Sequence, residues 1–251
     1  MKPLFRWLGL LAVAVLALQL FFVARIAAMT VIDPESTAFQ RSEAWRILND
    51  KGRLPWRQQW VPYAQISDNL KRAVIASEDD GFSNHEGVDW DALEKAWQKN
   101  AKAEAKAEAQ AAKKPAASTK NPPPLARPPK VVGGSTITQQ LAKNLFLSGE
   151  RTMLRKGQEF VLTLLLEALL SKERILEIYL NSVEWGDGVF GAEAAAQAYF
   201  RKSAAKLSTY EAARLAVMLP RPKYFEKLPN SSYIAGRASL IANRLSSATL
   251  P

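Results

Sequence analysis

The sequence contains no cysteine and one histidine, His85, and these absences narrow the chemistry first. Without thiols there is neither a disulfide framework nor a thiolate metal site. A single imidazole excludes a histidine-rich metal cage, so no metal site is expected. Also missing is any strand-length run of β-branched residues with period-two alternation. The fold class is therefore expected to be all-α.

What is present divides into an apolar start, a helical body and one low-complexity stretch. The 251 residues suffice for an anchor and one domain with a sizeable core. The net charge of +10 first suggests nucleic acid or a membrane surface. Residues 99–130, however, hold eight basic groups against two acidic ones, which is six of those ten charges. The remainder is only mildly basic, and no nucleic-acid partner is expected.

Leu8 to Ala24 is apolar except for Gln19. Extended to Leu4 and Ala28, it reaches roughly the 20 residues that cross a bilayer core. Lys2 and Arg6 precede it, and only Arg25 follows before Arg41. That bias favours a cytoplasmic N-terminus and an exported body. A cleaved signal peptide is the competing reading, but Ile26-Ala27-Ala28 only partly matches a cleavage site. Residues 1–28 are thus expected to be the tip and anchor, and 29–66 a juxtamembrane segment. In the latter, Trp45, Trp56 and Trp60 stand among Arg41, Arg46, Arg53 and Arg57. This pattern fits rings packed inward as well as aromatics resting at a headgroup interface.

Residues 67–251 read as the catalytic domain. Ser67 or Asp68 caps a helix that ends at Glu78-Asp79-Asp80-Gly81. A second helix begins near Asp89 or Asp91 and continues into AKAEAKAEAQAAKK, an Ala/Lys/Glu repeat with no apolar face. PAASTKNPPPLARPPK then carries six of the fourteen prolines and should be extended. Residues 99–130 look like an inserted arm. Beyond it, helices are expected over 138–147, over 155–181 as one long helix or a pair, and after a Ser208–Glu211 capping box.

Three segments carry candidate chemistry. Glu78 follows the apolar turn AVIAS, and a carboxyl half-sunk in apolar surroundings has a raised pKa suited to proton transfer. Taken alone, such a residue is more often a solvated cap. Its neighbours Asp79, Phe82, His85, Gly87 and Asp89 place acids, an aromatic ring, an imidazole and glycine within twelve residues. Next, Gly133-Gly134-Ser135-Thr136 opens a helix whose free N–H groups suit a phosphate, with Gln139 and Lys143 one turn apart. A simple capped helix is the plain alternative. Last, Glu159 stands near Arg151, Arg155 and Lys156, either a surface ion-pair cluster or an anion-binding wall. Glu167 is assigned to structure.

Taken in order, EDDGFSNHEGVD, GGSTITQQLAKN, RKGQE, YLNSVEWGDGVFGAEAAAQAYF and EAARLAVMLPRP resemble the five motifs of the glycosyltransferase 51 family. The likeness covers roughly residues 60–225. One anchor and one catalytic domain resemble its monofunctional Gram-negative members. The resemblance implies a lysozyme-like domain on the periplasmic side of the inner membrane, held by a single-pass anchor. It implies a donor glycan strand on undecaprenyl pyrophosphate and lipid II as acceptor. Glu78 would be the general base and Glu159 the second catalytic glutamate, assisting departure of the pyrophosphate. Ser135, Gln139, Lys143, Arg151 and Arg155 would bind substrate and its phosphates. Asp79, Phe82, His85, Gly87 and Asn181 would support the motifs. No cofactor is required, stimulation by Mg or Mn is compatible with the family, and cell-division or elongation proteins are candidate partners. The arm at 99–130 is longer than the family usually has there.

Two alternatives remain at this point. A lysozyme-like hydrolase shares the fold and a lone glutamate but has no need of a phosphate wall. A non-catalytic scaffold of cell-wall assembly would not need the catalytic positions intact. Ser203-x-x-Lys206 and Ser67-Asp68-Asn69 mimic penicillin-site motifs, yet they occur in reversed order and no Lys-Thr/Ser-Gly accompanies them.

Overall fold

A computed structural model describes residues 2–112, 134–150 and 152–251. It divides into two compact units, one formed by residues up to 88 with those from 136 onward, the other by residues 89–135. In chain order the first elements are α1 (Lys2–Ala28), α2 (Ala38–Lys51), β1 (Arg57–Gln58), α3 (Asp68–Glu78) and α4 (Trp90–Ala112). Next come α5 (Ile137–Phe146), α6 (Met153–Leu169), α7 (Lys172–Ser182), β2 (Glu184–Gly186) and β3 (Val189–Phe190). The last are α8 (Ala192–Phe200), α9 (Thr209–Met218), α10 (Pro222–Phe225) and α11 (Ser232–Ala242). The architecture is all-α, in keeping with the lysozyme-like class expected from the motifs.

Capping sets most of the helix starts. Thr37 with Gln40, Thr136 with Gln139 and Ser208 with Glu211 close complete capping boxes, and Ser67, Thr152, Ser171 and Ser231 cap four further helices. Each box satisfies two N–H groups that the helix itself cannot pair. The leucine-rich stretch after Arg155 is a pair of helices, because Ser171 starts a new one.

α1 contains one apolar run long enough to cross a membrane, Pro3–Ala28, with mean hydropathy 2.4. Its outer surface is exposed, while Phe22, Ile26 and Met29 are buried against the body of the first unit. α3 and α9 form the centre of the helical packing, with α11 laid across α9. Leu70, Ala73, Val74, Leu215 and Ala216 are fully enclosed there. The small alanine side chains let helix axes approach closely.

The segment 29–66 is not set apart from the body. Ile47, Val61 and Ile66 enter the core. β1 runs parallel to β3, with Arg57 opposite Val189, and β2 runs antiparallel to β3. Strands of two or three residues are too short for any alternation to show in the sequence. Trp56 stacks on Phe190 at 4.4 Å, and the Arg174 guanidinium lies over Trp60 at 5.5 Å, whereas Trp45 is 68% exposed. Two of the three rings thus pack within the protein.

Asn181 fastens this segment to α7. Its Nδ2 donates to Val61 O and Glu177 O, both at 2.9 Å, and its Oδ1 accepts from Val61 N at 2.9 Å. The side chain is fully buried, so water cannot replace these bonds.

In the second unit, α4 starts where Asp89 Oδ1 accepts from Ala92 N at 2.8 Å. It continues as a helix into the Ala/Lys/Glu repeat, and Gly134 returns beside Leu93 and Ala96. The proline-rich part of the expected arm lies outside the described residues.

Replacing Asn181 by Ala leaves a buried N–H and two carbonyls short of a partner. At about 1–3 kcal/mol for an orphaned buried group, the expected loss is about 3 kcal/mol. For a chain of this size that lowers the unfolding midpoint by roughly 6–12 °C. Thermal denaturation in detergent measures it, and an unchanged midpoint would remove Asn181 as a fastening.

Candidate active site

Glu78 is the last residue of α3, which buries Val74, Ile75 and Ala76 just before it. The apolar side of the helix therefore draws the carboxyl partly out of water. Burial raises its pKa above the ordinary carboxylate value, a hydrogen bond from Gln140 opposes the rise, and the Asp79 charge adds to it. Gln140 Nε2 donates to Glu78 Oε2 at 3.1 Å. Tyr179 OH, on α7, donates to Gln140 Oε1 at 3.0 Å. Burial holds Tyr179 well above the ordinary phenol value, so it keeps its proton and can only donate to the amide oxygen. The amide is thereby oriented with its NH2 group toward Glu78.

Asp79 holds the next turn. Its Oδ2 accepts from Ile137 N at 2.9 Å, and its Oδ1 meets His85 Nε2 at 2.8 Å. Gly87 N donates to His85 Nδ1 at 3.1 Å, which leaves the donating hydrogen on Nε2. Phe82 is fully buried, edge-on to the His85 ring, with Lys172 over its face at 4.5 Å. Gly87 has φ +82°, and a Cβ there would stand 2.7 Å from Thr163 Cγ2 and 2.9 Å from Glu167 Cγ. The loop can approach α6 only because this residue is glycine. Thr136 Oγ1 donates to Gly87 O at 2.6 Å, joining the loop to the start of α5.

These bonds revise two expectations. The sequence suggests the start of α5 as a seat for phosphate, but Asp79 already accepts from its first N–H group. It also suggests Gln139 as a phosphate ligand on the face of Lys143. Gln139 is buried instead, and its Oε1 accepts from Thr136 N at 3.2 Å within the capping box. Position three of a capping box turns its side chain back toward the cap, which occupies the Gln139 amide oxygen. The neighbouring Gln140 is the amide that meets Glu78. Ser135 belongs to the second unit, and Arg151 lies outside the described residues.

A second carboxylate stands on α6, which packs along α5. Glu159 is buried, with Oε2 accepting from Arg155 Nη1 at 2.9 Å and Oε1 paired with Lys156 Nζ. Arg155 Nε is enclosed and has no partner among the described residues. The Lys143 ammonium, on α5, has no hydrogen bond or ion pair with a described side chain, while its carbonyl accepts from Leu147 N at 3.0 Å. Desolvation lowers its pKa, the Glu159 charge opposes this, and Arg155 and Lys156 add to the lowering, although the residue still meets solvent. Three cations thus surround one acid that answers only two of them. Such an excess of positive charge suits an anionic group arriving from outside.

Glu167 accepts from Thr138 Oγ1 at 2.6 Å and Lys172 Nζ at 2.8 Å, a bridge between α5 and the start of α7. Among the described residues, Glu43, Glu184 and Asp187 bring carboxylate oxygens within 4.8 Å of one another. Arg46 pairs with Glu43 and Asp187, Lys51 with Asp187 at 2.5 Å, and Lys223 with Glu43 and, at 3.5 Å, with Glu184. Burial pushes Glu184 up to about 7. Three cations already balance three acids there, so the cluster reads as an ion-pair network and no metal is assigned to it.

Tyr179 and Gln140 escaped the sequence reading as site residues. Gln140 lies beside Gln139 in GGSTITQQ with nothing local to rank it higher, and Tyr179 carries no local signal beyond opening the YLNSVEWG motif.

A helical body bearing a half-buried glutamate, with a cation-rich wall on the adjoining helices, defines a candidate for acid–base chemistry on an anionic substrate. The chain belongs to the transglycosylase family, whose model matches residues 49–112 and 125–246. It is 55% identical over 250 residues to a biosynthetic peptidoglycan transglycosylase of Burkholderia thailandensis, covering 98% of this chain and 88% of that protein. A protein of the same name from Paraburkholderia xenovorans is 50% identical, with 98% and 94% covered.

Removing the amide that supports the Glu78 carboxylate should move its pKa further up. Gln140→Leu is expected to shift the Glu78 carboxyl titration to higher pH, followed by carbon NMR on glutamate-labelled protein. A titration identical to that of the unaltered chain would disprove the support.

Proposed function

We propose that this chain polymerises the glycan strands of peptidoglycan at a membrane surface, with Glu78 as its general base. The half-buried carboxyl facing an ordered amide is the observation that carries the reading. The acceptor is the lipid-linked disaccharide, lipid II, and the donor is the growing strand on a lipid pyrophosphate. Glu78 removes the proton of the acceptor's 4-hydroxyl. The freed oxygen forms a bond to the donor's anomeric carbon from the face opposite the leaving group. The bond from that carbon to the phosphate oxygen breaks, and the lipid pyrophosphate departs with the electron pair. The strand is longer by one disaccharide, and the anomeric configuration is inverted.

The departing pyrophosphate gains charge as the bond breaks, and fixed cations lower the barrier most when aimed at that charge. Lys143 and Arg155 are suited to it, since Lys143 has no ion partner among the described residues and Arg155 Nε has no acceptor there. Glu159 keeps Arg155 and Lys156 in place and assists the departure through them. A raised pKa suits Glu78 to its task, because a base closer to neutrality takes a proton more readily. Lys2 and Arg6 in the first turns of α1, against the single Arg25 near its other end, support an exported body on the far side of the inner membrane.

Purified protein incubated with lipid II is expected to yield polymer on a gel, whereas soluble fragments from finished cell wall would favour a hydrolase. Glu78→Gln should lower polymerisation by roughly a hundredfold to ten-thousandfold. Its unfolding midpoint should stay at or above that of the unaltered chain. A raised folded-state pKa means the carboxylate costs stability as pH rises from its unfolded value through the folded one, and Gln lacks that loss. A Glu78→Gln variant that still polymerises at full rate would overturn the mechanism. Lys143→Ala should lower kcat about tenfold to a hundredfold, and unchanged kinetics would take it out of the site.

A further inference from the structure

Gln19 is the polar residue within the otherwise apolar Leu8–Ala24 run of α1. Its amide forms a reciprocal pair with Gln158 on α6: Gln19 Nε2 donates to Gln158 Oε1 at 3.1 Å, and Gln158 Nε2 donates to Gln19 Oε1 at 3.2 Å. Gln158 immediately precedes Glu159. Three residues beyond Gln19, Phe22 meets Phe146 edge-on at 5.3 Å, and the Arg25 guanidinium lies over the same ring at 5.8 Å. Phe146 ends α5, three residues after Lys143. Further out, Arg174 donates to Met29 O at 2.7 Å and pairs with Asp33 at 2.7 Å, tying the end of the anchor to α7. The anchor therefore touches both helices that carry the cation wall, and does so beside the charged residues.

We infer that α1 is a positioning element of the active site, and that the Gln19–Gln158 amide pair sets how far the α6 wall stands from the membrane. The inference rests on the reading of Lys143, Arg155 and Glu159 as the pyrophosphate-handling group. At 1.5 Å per residue, Gln19 lies about 14 Å along the helix from Ala28. Fixing Gln158 to that point fixes the height of Arg155, Lys156 and Glu159 relative to the leaflet. A lipid pyrophosphate is itself confined to one height, since its tail is in the bilayer and its charge is at the surface. A wall that can slide along the membrane normal would meet it only part of the time. Lipid surroundings favour the clamp, because an amide that loses its partner there has no water to replace it. Exposed apolar residues on α6, Met153 and Leu154 at its start and Val161 and Leu164 further on, suit the same surroundings.

The test uses the full chain in proteoliposomes with lipid II as substrate, comparing Gln19→Leu and the double variant Gln19→Leu/Gln158→Leu. The single variant orphans one amide and is expected to lose both stability and rate. The double variant removes both polar groups, which restores packing without an orphan and should bring the unfolding midpoint back. If the pair only stabilises the fold, the rate returns with the midpoint. If it positions the wall, kcat stays about three- to tenfold low while KM is unchanged. Because the chain has no cysteine, Gln19→Cys/Gln158→Cys gives an independent measurement. Joining the two thiols with a short bifunctional reagent should recover the rate lost by the uncoupled variant, and this arm decides should the double leucine chain fail to fold. A double leucine chain with full rate, or a cross-linked chain with no recovery, would overturn the inference. An unaltered chain that makes no polymer would instead refute the underlying functional reading.

Discussion

The Asp79 carboxylate is the interaction on which the remaining geometry depends. It receives the first N–H of α5 and the Nε2 of His85, so one side chain joins the end of α3 to residues 58 positions further along. Between these partners the chain leaves the first unit and returns to it. Closing so long an excursion is entropically unfavourable unless specific contacts hold both ends. Thr136 Oγ1 bound to Gly87 O supplies a second fastening at the same place. Through these two bonds the loop after Glu78 and the helix bearing Gln140 and Lys143 become one object, whatever the intervening residues do.

From that junction the site divides into two charge regimes. Around Glu78 stand buried aliphatic residues of α3, an amide, a phenol that keeps its proton and the like-charged Asp79. Around Glu159 they are strongly cationic. A transfer reaction needs both kinds of surroundings. A base gains reactivity from poor solvation, while a pyrophosphate leaving group gains from nearby positive charge. The two carboxylates stand on α3 and α6, and α5 contacts each of these helices.

Much of this was legible in the sequence for a simple reason. Capping boxes, a 17-residue apolar run from Leu8 to Ala24 and leucine periodicity are local patterns with local physical causes. So was the partly apolar setting of Glu78, since the apolar turn before it and the polar loop after it are adjacent in the chain. Gln139 and Gln140 show the limit. They are identical in type and neighbouring in sequence, and only the turn of α5 decides that one closes a box while the other meets Glu78.

The sequence by itself determined the apolar run of α1, the helical class, the capped helix starts and the set of charged residues available for chemistry, because each follows from composition within a turn or two. Tertiary structure alone decided which groups face one another. Tyr179 and Gln140 come from positions 39 apart, and Gln19 and Gln158 from positions 139 apart. No local propensity records such pairings, since they depend on how buried faces of separate helices dock. For the same reason, the arginines and tryptophans of segment 29–66 fitted inward packing as well as a headgroup interface. Packing made it part of the protein's interior: Ile47 is enclosed, and Val61 and Ile66 join the main apolar cluster.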